Sequence, residues 1–187
     1  MTITDITAPA LEPVTLERAK EFLRVDNAAE DALISELIMA SRLRLEQMLN
    51  ASLVTRTRLY RSRKILSHCL YINHSPISAV TKVSVIDAGG QETQIPQEDY
   101  LVNRRATPAT LTLTGRSNFS TYAQDAVDVT VEVEAGYGPS PDDVPMPLRQ
   151  ALLLLLAQAY EFRDQETERP VPMLVDALLM PYRQVRL

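Results

Sequence analysis

The feature that most constrains the fold is an apolar helix near the carboxyl end of the chain. The segment Val144-Pro145-Met146-Pro147 opens it, and the run LRQALLLLLAQAYEFRD follows. A helix with one side in water should keep a polar stripe along that side. At 100° per residue, the arc that holds the polar side chains also contains Leu153 and Leu154, while the opposite arc is already apolar enough to face a core. We therefore predict that something outside their own domain covers Leu153 and Leu154, as at a subunit interface.

Composition indicates an ordinary globular chain. The 187 residues are 45% hydrophobic and 23% charged, and one domain of this length buries about 70% of its unfolded surface. The formal net charge of −5 argues against a protein whose main task is to grip nucleic acid. A single cysteine, Cys69, excludes an internal disulfide and fits a reducing compartment.

Neither export nor membrane insertion is indicated. The first residues, MTITDITAPALEP, lack the basic start and the apolar core of a signal peptide. The longest apolar run, Ala151–Ala157, is far shorter than the roughly 20 residues that span a bilayer. We therefore expect a soluble cytosolic product with no membrane partner.

The order of elements predicts an α+β fold in a single domain over residues 1–187. Helical signals at both ends of the chain predict one helical layer, and the segment between them alternates in the manner of an antiparallel β module. The predicted parts are N-terminal helices over 15–50, the β module over 53–135, C-terminal helices over 145–180 and a tail over 181–187.

Two capping signals place the N-terminal helices. Thr15 can cap a first helix from Leu16 to about Arg24. Asn27–Glu30 has the spacing of a capping box, so we expect the second helix to begin there and to reach about Asn50.

The second helix carries an apolar stripe, but Met39 and Leu43 lie off it, on the polar side. They are either stray exposed apolar residues or a subunit contact.

Six segments of the β module read as strands. In the last of them, Val127, Val129, Val131 and Val133 share one face, and polar residues fill the other, so we expect one side to pack and the other to meet water. The segments are Leu53–Arg61, Cys69–Ile72, Val80–Asp87, Tyr100–Asn103, Thr110–Thr114 and Val127–Glu134.

The chain offers no motif for catalysis or for binding a cofactor. His68 and His74 flank a predicted strand, but six residues of extended chain separate them by about 20 Å, too far to share a metal ion. Cys69 points to the opposite face from His68. The pair Gly89-Gly90 lacks the lysine and helix of a phosphate-binding loop and reads as a hairpin turn. We therefore expect no metal, no cofactor and no enzyme activity.

A basic cluster supports an alternative function, a small nucleic-acid-binding module. Arg56 and Arg58 share one face of a predicted strand, where they could contact phosphates. Only Tyr60 accompanies them as an aromatic residue that could stack on bases. Salt bridges or a subunit boundary explain the cluster better than direct contact with DNA. Its members are Arg56, Arg58, Arg61, Arg63 and Lys64.

The last seven residues form a tail after Pro181, which should end the preceding helix. Seven residues are too few for a core of their own. The tail is either a frayed terminus or a docking segment, because Tyr and Arg are enriched at binding hot spots and its aliphatic residues have strand-like spacing. Its candidate partner-binding residues are Tyr182, Arg183, Val185, Arg186 and Leu187.

Several landmarks, taken in order, resemble the head–tail connector (adaptor, or head-completion) proteins of long-tailed phages and of phage-derived gene transfer particles. The first, Pro13–Asp26 (PVTLERAKEFLRVD), is similar to the family's opening V-T-L-x-x-A-K-x-x-L-R-V-D. The later landmarks are Glu30–Ile34, Ala135–Gly138, Val144–Ala151, Tyr160–Arg163 and Leu178–Arg183. Both ends of the chain carry the match, whereas the β middle matches only in type.

The resemblance implies a structural protein without catalysis. It implies a ring of twelve subunits beneath the portal protein that continues the DNA channel toward a tail-side connector, the stopper. DNA would pass through its lumen without specific binding. It also implies a place at the head–tail interface of a virion or phage-like particle, assembled in the bacterial cytoplasm, and a tail that reaches toward the portal.

Overall fold

The structure is a computed structural model that describes residues 2–63, 66–74, 76–115, 118–163 and 170–183. These residues divide into two compact units. The β unit contains the described residues of Met1–Ala8 and Thr55–Gly136, and the helical unit those of Pro9–Val54 and Tyr137–Leu187. The backbone therefore passes from one unit to the other after residues 8, 54 and 136.

The described strands of the β unit form two antiparallel sheets. One has five strands in the order β1-β2-β8-β4-β5, and the other has three in the order β3-β7-β6. Side chains of both sheets enclose one core around Tyr60, Leu111, Phe119 and Val131. The strands are β1 (Thr2–Asp5), β2 (Arg56–Ser62), β3 (Cys69–Ile72), β4 (Ile77–Asp87), β5 (Glu92–Gln94), β6 (Tyr100–Asn103), β7 (Ala109–Leu113) and β8 (Ala126–Ala135).

The helical unit contains α1 (Leu16–Leu23), α2 (Asp31–Leu49), α3 (Met146–Glu161) and α4 (Met173–Leu179). The helix α3 packs against each of the other three helices. Together the antiparallel sheets and the helices drawn from both ends of the chain confirm the predicted α+β class.

Two sequence expectations about strands need correction. The edge strands β1 and β5 were not predicted, because all their residues are exposed and they carry no alternating pattern. In β8, Val129, Val131 and Val133 are buried as expected, but Val127 is exposed, and Asp128 and Thr130 on the opposite face are buried. The expectation that this opposite face meets water is therefore wrong at those two positions.

One capping signal is confirmed and the other is wrong. Thr15 Oγ1 accepts a hydrogen bond from the Arg18 backbone N–H at 3.3 Å. The predicted capping box does not form, since α2 begins at Asp31 and Asn27 Oδ1 accepts from the Ala29 backbone N–H at 3.0 Å.

The carboxylate of Glu30, the other half of the expected capping box, is engaged elsewhere. It accepts hydrogen bonds from the Tyr160 hydroxyl and, at 3.1 Å, from the Arg163 guanidinium. A tertiary contact across the helical unit has therefore replaced a local one.

A buried charged cluster fixes α2 to the segments on either side of it. Arg42 donates to Glu12 at 2.7 Å and to Glu46 at 3.0 Å, and Glu46 also accepts from the Leu53 backbone N–H at 2.9 Å. Although burial by itself lowers the pKa of Arg42, its hydrogen bond to Glu12 and its attraction to both carboxylates outweigh burial and raise it. The buried charge of Arg42 is therefore paired with carboxylates. A buried charge without such partners would destabilise the fold.

Candidate functional site

The two buried arginines of the basic cluster form salt bridges, which is the explanation that the sequence favoured over a phosphate patch. Arg56 and Arg58 both lie on β2, but their side chains are only 1% and 15% exposed. Both lie against the carboxylate of Asp5 on β1, which is 3.4 Å from Arg56 Nε and accepts a hydrogen bond from Arg58. These two arginines stabilise the pairing of β1 with β2, so they are not available to nucleic acid.

The exposed part of the cluster is smaller than the sequence suggests. Arg61 donates to the Asp128 carboxylate at 2.9 Å, and the exposed Arg63 lies 3.9 Å from the same carboxylate. Lys64 lies outside the described residues. Among the described residues of the cluster, only Arg61 and Arg63 therefore remain for contact with nucleic acid, and both lie near the Asp128 carboxylate.

His74 is a buried base that belongs to the same cluster as Arg58. Arg58 donates to its ring nitrogen Nε2 at 2.8 Å, and the ring of Tyr60 lies 6.2 Å from the imidazole, centroid to centroid. Burial, together with the positive charges of Arg58 and Arg56, lowers the pKa of His74 to about 3, whereas Asp5 opposes the shift. At neutral pH the imidazole of His74 is therefore uncharged, and its Nε2 can accept the hydrogen bond from Arg58.

His68 and Cys69 are placed differently from His74. His68 is exposed just before β3, and Cys69, half-buried, begins that strand. The residues that the structure describes include no group of three or more His, Cys, Asp or Glu side chains able to hold a metal ion. In the same residues, no helix is long and apolar enough to cross a membrane.

Leu153 and Leu154 differ in their surroundings on α3. Leu153 is only 4% exposed and belongs to the helical core, where it also lines a groove of about 380 Å³ beside Met146. Leu154 is half-buried against that core. The chain itself therefore covers Leu153, contrary to our expectation, because α3 is surrounded by the other three helices.

Met39 and Leu43 are exposed on α2, at 46% and 44%. The core-facing residues Ile34, Ile38 and Leu45 occupy the opposite side of the helix. The prediction that the two residues lie off the buried stripe is confirmed, and their role in a subunit interface stays a prediction.

The described start of the tail is attached to the helical unit. Tyr182 is half-buried against the helical core, and Arg183 donates to the Asp176 carboxylate at 2.7 Å. These two candidate partner-binding residues therefore already contact their own chain. The other three, Val185, Arg186 and Leu187, lie outside the described residues.

A surface that the sequence reading missed lies on α4. Met173, Leu174 and Met180 are 89%, 57% and 71% exposed, while Val175 and Leu179 enter the core. Seven residues are too short a helix for periodicity alone to reveal which side is buried. The signal available was that α4 and the residue after it, MLVDALLM, carry one charge among apolar residues.

The fold matches chains in solved assemblies over its whole length. Each match covers 100% of this chain and 97% of the other, at 23% identity. The TM-score is 0.84 for the neck of an empty gene transfer agent (GTA) particle computed with C6 symmetry and 0.83 for the virion of a native GTA particle. It is 0.73 for the neck of a native GTA particle computed with C12 symmetry.

Comparison with curated proteins found no match. The family model of the phage gp6-like head-tail connector proteins, in contrast, matches residues 13–114, from just before α1 to the end of β7. That range is more than half of the 187 residues, so the chain belongs to the phage gp6-like head–tail connector family.

Proposed function

We propose that this connector subunit forms a ring beneath the portal protein, extends the DNA channel and joins the head to the tail. The family match over residues 13–114 carries the proposal. The shared fold supports it, since the matching chains come from the neck and the virion of GTA particles. The protein would then be a structural component of a virion or phage-like particle, assembled in the bacterial cytoplasm, and not an enzyme.

A ring of twelve subunits is the arrangement that we propose. One of the similar necks was computed with C12 symmetry and another with C6, which is a subgroup of C12. In a cyclic ring, each subunit contacts the next through two different surfaces. Our candidates for these contacts remain Met39, Leu43 and the half-buried Leu154. Because Leu153 is buried within its own subunit, it would contribute only by supporting Leu154.

Electrostatics favour a channel that DNA passes without specific binding. Each subunit carries a net charge of −5, which twelve copies would multiply. The buried arginines Arg56 and Arg58 are balanced by Asp5 and add no free positive surface. A lumen with few free cations would not retain the phosphate backbone.

The neighbours in the channel would be the portal on one side and the stopper on the other. We propose that the chain end contacts the portal through Tyr182, Arg183, Val185, Arg186 and Leu187. The first two also contact the helical unit, so they would present the last residues from a fixed base.

Removing the gene tests the function directly. We expect DNA-filled heads without tails to accumulate, and the intact gene supplied separately should restore tailed particles. A cryo-EM map of the restored particles should show a ring of this protein at the head–tail junction. Normal tailed particles in the absence of the gene would refute the proposal.

A further inference from the structure

The centre of the outward side of α4 is apolar. At 100° per residue, Met173, Ala177 and Met180 lie within about 60° of one another, and all three are exposed. Leu174 and Pro181 extend the same side. Val175 and Leu179 hold the helix to the core from the opposite side, and the one charged residue of α4, Asp176, is paired with Arg183 beside the outward surface. The helix therefore has two apolar sides, which is typical of a helix covered on both.

A second exposed apolar surface lies on α2. Met39, Ala40 and Leu43 are exposed and lie opposite the core-facing residues of the helix. Glu36 and Gln47 border this surface on the two adjacent turns. The outward side of α1 differs, since it carries the exposed charges of Glu17, Arg18 and Glu21.

Both surfaces point away from the core of the helical unit. The helix α3 packs against both α2 and α4, and the buried sides of α2 and α4 belong to the same core as α3. Because each of the two helices turns its buried side toward that core, each turns its other side outward. The subunit therefore offers two separate apolar surfaces on two different helices, as contact with two neighbours requires.

We propose that the α4 surface of one copy packs on the α2 surface of the next copy in the ring. The inference rests on the proposed ring, in which cyclic symmetry requires two different, complementary surfaces on each subunit. Neither surface has a charge at its centre, so burying the two together strands no ion. Methionine side chains suit such a contact, because they adapt to an irregular partner surface.

Cross-linking of the purified full chain tests the contact. In a Cys69→Ser background, Leu43→Cys and Ala177→Cys on the same chain should give a ladder of disulfide-linked oligomers after mild oxidation. Either substitution alone should give no ladder, and a mixture of the two single variants should stop at dimers. The control pair Leu43→Cys with Gln124→Cys, an exposed residue of the β unit, should give no ladder.

Charge substitution supplies a second readout that does not depend on oxidation. Ala177→Glu should raise the concentration needed for ring formation at least tenfold, and Leu43→Lys should restore assembly of that variant. Leu43→Glu in the same variant should not. Circular dichroism of each variant confirms that the helices are retained.

The outcomes separate this inference from the proposed function. If negative-stain images showed rings but neither the ladder nor the rescue were observed, the proposed contact would be overturned. The connector function would still stand, and another protein would then be expected to cover α4. If the protein formed neither rings nor the ladder at any accessible concentration, both the contact and self-assembly into a ring would be overturned.

Discussion

Two buried polar clusters, one in each unit, depend on residues that are distant in sequence. Asp5 reaches Arg56 and Arg58 in the β unit, and Glu12 reaches Arg42 in the helical unit. The sequence favoured salt bridges or a subunit boundary for the arginines of β2, but a strand pattern does not reveal which distant carboxylate will meet them. Single-residue roles of this kind depend on tertiary contacts that local patterns do not contain.

The buried His74 gives the β unit a dependence on pH. An unfolded histidine takes up a proton near pH 6.5, whereas folded His74 stays neutral down to about pH 3. The unfolded state therefore binds more protons in this window, so the free energy of unfolding should fall as the pH is lowered, by up to about 1.4 kcal/mol per unit. Urea unfolding of wild type and His74→Gln between pH 7 and pH 4 measures this contribution, which the variant should lack.

The exposed His68 provides the matched control for that experiment. His68→Gln removes a histidine whose side chain is exposed in the folded protein, so it controls for the loss of an imidazole that is not buried. If His74→Gln retained the full slope, protonation of His74 would not be the cause. Asp5 would then be the next candidate: burial by itself raises the pKa of its carboxyl, but the hydrogen bond from Arg58 and the charges of Arg56 and Arg58 outweigh burial and lower it.

At the scale of elements, α3 shows how far an apolar pattern can be interpreted. Its sequence predicted a helix with more apolar surface than one core needs, and the helix is present at Met146–Glu161. The prediction that Leu153 is covered from outside its own domain is wrong, because α3 packs against the other three helices of the same unit. The apolar pattern of one helix indicates how many of its sides are buried. It does not show whether the residues that bury them belong to the same chain.

Stability measurements can separate the two leucines of α3. Leu153→Ala should lower the free energy of unfolding by about 2–5 kcal/mol, as expected for a large-to-small change in a core. Leu154→Ala should cost clearly less, because this side chain is only half-buried. Denaturant unfolding of both variants gives the comparison, and equal losses would show that the two positions are equally enclosed.

The strands with buried residues were predicted, and the two strands that are exposed throughout were not. The strands β3 and β6 were placed at their observed bounds, and β8 within one residue at each end, because residues that alternate between a core and the surface leave a period of two. The edge strands β1 and β5 left no such trace. The outward side of α4 was missed for a related reason, since a single charged residue, Asp176, makes no polar stripe that could orient the helix.

For the whole molecule, the chain end provides the clearest test of attachment. Deleting residues 184–187 should leave the protein folded, because the core residues of the helical unit that the structure describes, such as Val175 and Leu179, are all retained. It should also yield DNA-filled heads that fail to retain this protein or to gain tails. Electron microscopy of particles made with the deleted gene tests this. Keeping Tyr182 and Arg183 avoids disturbing their contacts with the helical unit.

Substitution within those four residues separates side-chain recognition from chain length. Val185→Ser combined with Leu187→Ser should reproduce the loss of tails, because it removes the apolar side chains and preserves the length. Gln184→Ser should leave particles normal. Tailed particles in normal number from the deletion itself would show that the end of the chain does not attach the ring.

The three backbone passages between the units have a mechanical consequence. Residues 8, 54 and 136 each lead from one unit to the other, so a pull that separates the units is shared by three covalent connections instead of one. A single proteolytic cut at any of these places leaves two connections intact. A force that pulls the two units of this head–tail connector apart would therefore be divided among the three connections, whereas a single hinge would bear all of it.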